Sequence, residues 1–232
     1  MKLKAIYYDT ETTGLKADHD RIIEIAAYDA TNNRSFSTLV NPQRSIPEES
    51  MKITGINDEM VKDAPTFEKA GQDFIDFCGE NAVLIAHNHD GFDKYFLKAE
   101  FERCNLTPYP WQSIDTLKWA RKYRSDLPKH NLQYLREVYG FDANNAHRAL
   151  DDVIIMHKVF SKMTLDLSIE QIIELMKTQP KITRMPFGKH KGKLIKELPK
   201  NYVDWLKDSG ALEKENNLPL LEELKNVGLI EV

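Results

Sequence analysis

The sequence predicts an α/β domain with a mixed β-sheet flanked by helices, followed by a small α-rich module. Three observations carry that prediction. Apolar runs of strand length open the chain, strand and helix patterns then alternate, and the composition turns Lys-rich from Lys181. Strands that lead into strand–helix alternation place helices over the faces of one sheet.

Taken in order, residues 3–10 read as a strand. Residues 21–29 and 35–40 read as two more, joined by a hairpin turn at Thr31-Asn32-Asn33. Pro42, Pro47 and Glu48-Glu49-Ser50 mark a long excursion that lasts until Pro65. Thr66 is placed to cap a helix to about residue 79, with Phe67, Ala70, Phe74 and Phe77 at helical spacing. Ala82-Val83-Leu84-Ile85-Ala86 is a continuous apolar run, the mark of a strand covered on both faces. Helices are expected near residues 92–104, 115–122, 131–139 and 146–163. Ser168 and Gln171 form a capping-box pair opening a helix that Pro180 stops. Further on, Tyr202, Trp205 and Leu206 share one helical stripe, and a last helix runs near residues 219–227. The expected organisation is a domain at 1–165, a linker helix at 166–180 and a basic, aromatic module at 181–232.

With 41% hydrophobic and 29% charged residues, the chain has the balance of a soluble globular protein. No apolar run reaches membrane-spanning length, and Met1-Lys2-Leu3-Lys4 lacks a signal-peptide core, so a cytoplasmic protein without membrane partners is expected. Cys78 and Cys104 stand far apart without a C-x-x-C pattern, which suggests buried thiols. A net charge of −4 argues against coating nucleic acid by bulk electrostatics, though not against gripping a few nucleotides.

Chemistry concentrates in the acids. In a strand, side chains alternate faces, so Asp9 and Glu11 project from the same side. Two adjacent carboxylates repel and lose hydration, a cost that a divalent cation removes; oxygen ligands suit Mg²⁺ or Mn²⁺. Asp93 begins a helical pattern whose next inward positions are Phe96 and Leu97, so its carboxylate is expected to face inward. Asp152 leads to Met156, Val159 and Met163, whereas Asp151 leads to Lys158 and Lys162; the phase selects Asp152 as the buried acid. His147 lies just upstream, where a loop runs into that helix, and Asp115 reads mainly as a helix-start residue.

Asp9-Thr10-Glu11-Thr12-Thr13-Gly14, then His87-Asn88 with Phe92-Asp93, then His147-x-Ala149-x-x-Asp152 resemble the three motifs of DnaQ-like 3′→5′ exonucleases. That acidic-residue superfamily contains the epsilon subunit of bacterial replicative polymerase. The histidine five residues before the last aspartate is similar to its His-type (DEDDh) branch. The resemblance implies a ribonuclease-H-like fold and release of 5′-mononucleotides from DNA 3′ ends. It further implies two Mg²⁺ or Mn²⁺ ions held by Asp9, Glu11, Asp93 and Asp152, with His147 as general base. Thr12, Thr13, Gly14 and Leu15 would line the slot for the terminal nucleotide, with Asn88 and Phe92 also contacting substrate. Ile53-Thr54-Gly55-Ile56 resembles the family's base-contacting loop, with Ile56 as the wedge. The implied partner is nucleic acid with a free 3′ end, DNA in preference to RNA, in a replicative or repair setting. The same motifs admit an exoribonuclease. A catalytically dead scaffold bound to a polymerase would be expected to have lost an acid or the histidine, and all five positions are filled.

Gly188-Lys189-x-x-Gly192-Lys193 is too short between glycines for a phosphate loop, and Leu194 stands where Ser or Thr is required. The segment from Phe187 to Lys193 with Tyr202 and Trp205 resembles the C-terminal region of exodeoxyribonuclease X and its relatives. Tyr202 and Trp205 are expected in the module's core. Lys189, Lys191 and Lys193 fit equally a solvated hairpin or a row of phosphate contacts.

Overall fold

The computed structural model describes residues 2–143, 148–178, 182–213 and 217–230. The chain divides into two compact units, Met1–Met176 and Lys177–Val232. Among the described residues no helix is long and apolar enough to cross a membrane.

In the first unit, β1 (Lys4–Thr12), β2 (Ile22–Asp29), β3 (Arg34–Leu39), β4 (Ala82–Ala86) and β5 (Gln112–Asp115) form one sheet in the order β3-β2-β1-β4-β5. The pairs β1–β2 and β2–β3 are antiparallel, whereas β1–β4 and β4–β5 are parallel. Alternation along β1 assigns its residues to two cores. Ile6 and Tyr8 pack with α3 (Phe67–Cys78) and α4 (Asp93–Arg103). Tyr7 points the other way, to Trp119 of α5 (Thr116–Tyr123) and to Val153, Met156 and Phe160 of α7 (Ala149–Thr164). Between these helices lies α6 (Leu132–Val138). The residues that follow Tyr7 with the same parity, Asp9 and Glu11, therefore belong to the α7 face. Thr10 belongs to the α4 face.

The excursion between β3 and Pro65 holds α1 (Glu48–Thr54) and α2 (Asp58–Val61) around Ile23, Ile46, Ile56 and Val61. Residues 112–115, of which only Asp115 was expected in an element, and that a helix, form the edge strand β5; Asp115 itself caps α5. Thr66 occupies the start of α3 without a side-chain cap bond. The capping box is reciprocal: Ser168 N–H donates to Gln171 Oε1 at 2.8 Å, and Gln171 N–H to Ser168 Oγ at 3.3 Å. It opens α8 (Ile169–Lys177), and Ile172 of this helix packs in the core beneath α7.

A buried ion pair ties the loop after β1 to α4. Arg21 donates from Nε and Nη2 to the two oxygens of Glu100 at 2.7 and 3.0 Å, and Ile22 N–H donates to the same carboxylate. In the second unit, α9 (Lys200–Asp208) and α10 (Leu218–Asn226) close over an apolar core that includes Ile195, Val203, Leu206, Leu220 and Leu224.

Candidate active site

Parity and helix phase bring three acids together at the C-terminal end of β1. Asp9 and Glu11 stand on the α7 face, and Asp152 sits in the first turn of α7; one ligand oxygen from each lies within 4.8 Å of the others. Asp151, also half-buried, turns instead into a separate recess with Phe141 and Lys158. Asp93 reaches the same region from the opposite face of β1, where Thr10 Oγ1 donates to its Oδ1 at 2.8 Å. Gln133 Nε2 donates to Asp152 at 3.2 Å.

These acids line one cavity of about 380 Å³ with Thr10, His87, Asn88, Phe92, Asn131, Leu132 and Gln133. Burial, then the charges of Asp93, Glu11 and Asp152, drives the Asp9 carboxyl well above the ordinary carboxylate range. Burial, followed by Asp152 and Glu24, pushes Glu11 up to about 8. Burial raises Asp93 to about 7 against the opposing hydrogen bond from Thr10. Burial, and for Asp9 and Glu11 the neighbouring acids, keep protons on these groups, with Arg148 the opposing charge at Glu11. Their oxygen-only donor set and mutual repulsion fit a hard divalent cation.

Two neighbours hold the walls. Asp115 accepts N–H bonds from Asn88 and Asp90 at 3.2 and 3.1 Å and from Leu117 and Lys118 at the start of α5. This clamp fixes the turn between β4 and α4, in which Asn88 adopts a left-handed conformation with φ 76°. Glu24, directly opposite Glu11 in the β1–β2 register, accepts from Ala149 N–H at 3.1 Å and from the Arg148 guanidinium at 3.2 Å. It thereby caps α7 one turn ahead of Asp152. His87 Nδ1 lies 2.9 Å from Thr116 Oγ1, and burial pushes its imidazole down to about 4, so it is neutral at physiological pH.

Of the residues expected at the site, Asp9, Glu11, Asp93, Asp152, Asn88 and Phe92 line the cavity. His147 lies outside the described residues. Thr12, Thr13, Gly14 and Leu15 follow the acids but are not in the cavity wall. Thr13 Oγ1 donates to Asp20, and a Cβ on Gly14 would meet the Asp20 carboxylate at 2.5 Å, so these two residues close a tight loop. Leu15 is 84% exposed. Ile56 is corrected as a wedge: it is fully buried against Ile23, Ile46 and Val61, and the exposed apolar side chain of that segment is Ile53, at 60%. Thr10, His87, Asn131, Leu132, Gln133 and Glu24 were not anticipated. For Thr10 a signal existed in its place between the two acids, and for His87 in its place beside Asn88.

The family model described as "Exonuclease" (RNase_T) matches residues 6–160, and a second, described as "Putative quorum-sensing-regulated virulence factor", matches residues 169–231. The DNA polymerase III epsilon subunit of Treponema pallidum (strain Nichols) is 40% identical over 163 residues, 67% of this chain and 74% of that protein. A PolC-type DNA polymerase III of Caldanaerobacter subterraneus subsp. tengcongensis is 35% identical over 191 residues, 78% of this chain but 13% of that protein. Among solved structures, exonuclease X in complex with 5′ overhanging duplex DNA aligns at TM-score 0.56 and 28% identity, covering 74% of this chain and 99% of that one. E. coli exonuclease I bound to single-stranded DNA aligns at TM-score 0.62 and 20% identity, covering 75% of this chain and 43% of that one, a likeness of fold. The chain belongs to the exonuclease family. Within that family it is a DnaQ-like 3′→5′ exonuclease, a hydrolase with the ribonuclease-H-like fold.

Proposed function

We propose that the cavity at the end of β1 removes nucleotides one at a time from DNA 3′ ends, with Asp9, Glu11, Asp93 and Asp152 holding two Mg²⁺ or Mn²⁺ ions. The observation that carries this reading is the convergence of Asp9, Glu11 and Asp152 oxygens within 4.8 Å, with Asp93 in the same cavity. Bound divalent cations would neutralise charge on the scissile phosphate and lower the pKa of attacking water. Thr10 and Gln133 aim Asp93 and Asp152, so two of the four acids are oriented before any ion arrives. Asn88 and Phe92, on the turn clamped by Asp115, contact the terminal nucleotide. His147 takes the proton of the water that attacks phosphorus, the general-base role of the histidine in its motif. The phosphorus–O3′ bond breaks, leaving a strand shortened by one residue with a new 3′-hydroxyl and a 5′-mononucleotide.

A replicative setting is supported by the likeness to a DNA polymerase III epsilon subunit, and DNA as substrate by the likeness to exonuclease X in complex with duplex DNA. The test is a gel. Single-stranded DNA, duplex DNA and RNA of equal length, labelled at the 5′ end, are incubated with Mg²⁺. We expect a ladder of 3′-shortened DNA, none from Asp9→Ala, and turnover reduced about 10²–10⁴-fold in His147→Ala. Cleavage by Asp9→Ala at the wild-type rate, or digestion from the 5′ end, overturns the reading.

A further inference from the structure

The second unit carries a row of aromatic rings that begins against its core at Tyr202 and ends in water at Trp205. Met185, Ile195, Leu198, Val203, Leu206, Leu212, Leu220 and Leu224 supply that core and are almost fully buried. On α9 the buried stripe is Val203 and Leu206. Tyr202 and Trp205, also three residues apart, form a neighbouring stripe, and Trp205 is 57% exposed. The indole is thus left in water beside a core that closes without it.

The rings are ordered. Trp205 stacks on Tyr202, with centroids 5.7 Å apart and planes inclined by 23°. Tyr202 in turn meets His190 edge-on at 4.5 Å. His190 comes from a tight hairpin, closed by Met185 N–H to Lys193 O, Gly192 N–H to Met185 O, and Arg184 Nη1 to Gly192 O. Gly188 lets the hairpin lie against α9. Its φ is 72°, and a Cβ there would meet Tyr202 Oη at 2.5 Å. Three rings thus run from the hairpin tip to the middle of α9 in fixed order.

Charge surrounds them. Residues 181–200 hold seven Lys or Arg against one acid, Glu197, in a chain whose net charge is −4. Lys189 and Lys191 flank His190, and Lys193 follows; all three are exposed, and none pairs with a carboxylate among the described residues. A solvated hairpin needs no aromatic row beside it, and an aromatic core needs no exposed tryptophan. Flat rings for bases and lysines for phosphates are the two components of a sequence-tolerant strand site.

We propose that the hairpin at residues 184–194 and the Tyr202–Trp205 face of α9 form a binding site for single-stranded nucleic acid. Trp205, held in place by Tyr202, stacks on a base, and Lys189, Lys191 and Lys193 pair with phosphates. The proposal rests on the nuclease reading only for the class of polyanion the chain meets.

The test uses the full chain in EDTA, so that nothing is cut, with labelled oligo-dT and oligo-U read by fluorescence anisotropy across a salt series. Trp205→Ala should weaken binding by about 5- to 100-fold, and Trp205→Phe should restore most of it. The triple variant Lys189→Ala, Lys191→Ala, Lys193→Ala should make the slope of log K against log salt shallower by about 2. Unchanged melting temperatures show that these exposed positions leave the fold intact. Affinity and salt slope equal to wild type in both variants overturn the site, as does oligonucleotide binding lost only on unfolding. Mg²⁺-dependent hydrolysis, measured separately on the same proteins, reports on the nuclease reading alone. A strand-binding protein without hydrolysis would keep this site, and a hydrolase indifferent to Trp205→Ala for binding would lose it.

Discussion

Glu11, Asp9 and Asp93 hold protons at pH values where free carboxylates have long lost them, and the cause in each is burial before it is any neighbour. The sign of the consequence is fixed. A carboxyl whose folded pKa exceeds its unfolded value near ~4 stabilises the fold fully below that value, and the contribution is lost as pH rises through the folded pKa. With Glu11 at about 8 and Asp93 at about 7, the metal-free protein should lose melting temperature steadily from about pH 5 to 8. A divalent cation that binds only the folded site offsets this, so the gain in melting temperature from millimolar Mg²⁺ should be larger at about pH 8 than at pH 6. Scanning fluorimetry with and without Mg²⁺ checks both trends. An Asp9→Asn protein that gains as much as wild type would show that these acids share no ion.

The pairing of loops with helices sets how firmly those acids are placed. The Arg21–Glu100 pair joins the segment after β1 to the helix that begins with Asp93, and Glu100 is fully buried. Arg21→Met removes two direct hydrogen bonds and leaves Glu100 with Arg103, 3.5 Å away, as its remaining counter-ion, and denaturant unfolding should show a loss of about 1.5–3 kcal/mol. A loss below about 1 kcal/mol would mean that water reaches Glu100 in solution. At this scale the sequence was legible where a period ran long enough. The two-residue alternation of β1 put Asp9 and Glu11 together, and the phase of α7 chose Asp152 over Asp151. β5 escaped because Gln112-Ser113-Ile114-Asp115 offers one apolar side chain, too few to show any period, while the following residues look helical. α1 and α2 escaped because Pro42 and Pro47 read as loop, and seven- and four-residue helices carry little pattern. Gln133 and Glu24 reach their partners only through tertiary structure, across 19 and 125 residues.

Across the whole molecule, each unit contains its own buried core, and the boundary after Met176 falls at the last residue of α8, whose Ile172 belongs to the first. A chain ending at Met176 should therefore unfold in one cooperative transition and keep the Mg²⁺-induced rise in melting temperature. Circular dichroism and scanning fluorimetry of that shorter chain check this; loss of the transition would show that the first unit depends on the second. Burial was the least legible property at this scale. The family resemblance put Ile56 forward as a base-contacting wedge and the helical stripe put Trp205 in the module's core, whereas the structure buries Ile56 and exposes Trp205. Ile56 is drawn in by the small cluster under α1 and α2, while Trp205 is displaced by aliphatic side chains that fill the small core without it.

The alternation along β1 also constrains how descendants of this chain can vary. Inserting or deleting one residue between Ile6 and Asp9 would swing both acids towards α3 and α4 and turn Thr10 away from Asp93 in the same event. No point substitution elsewhere reverses such a slip. Length changes tolerated in this lineage should therefore collect outside the first strand, in stretches such as the one between β3 and α3, while the spacing from Ile6 to Glu11 stays frozen.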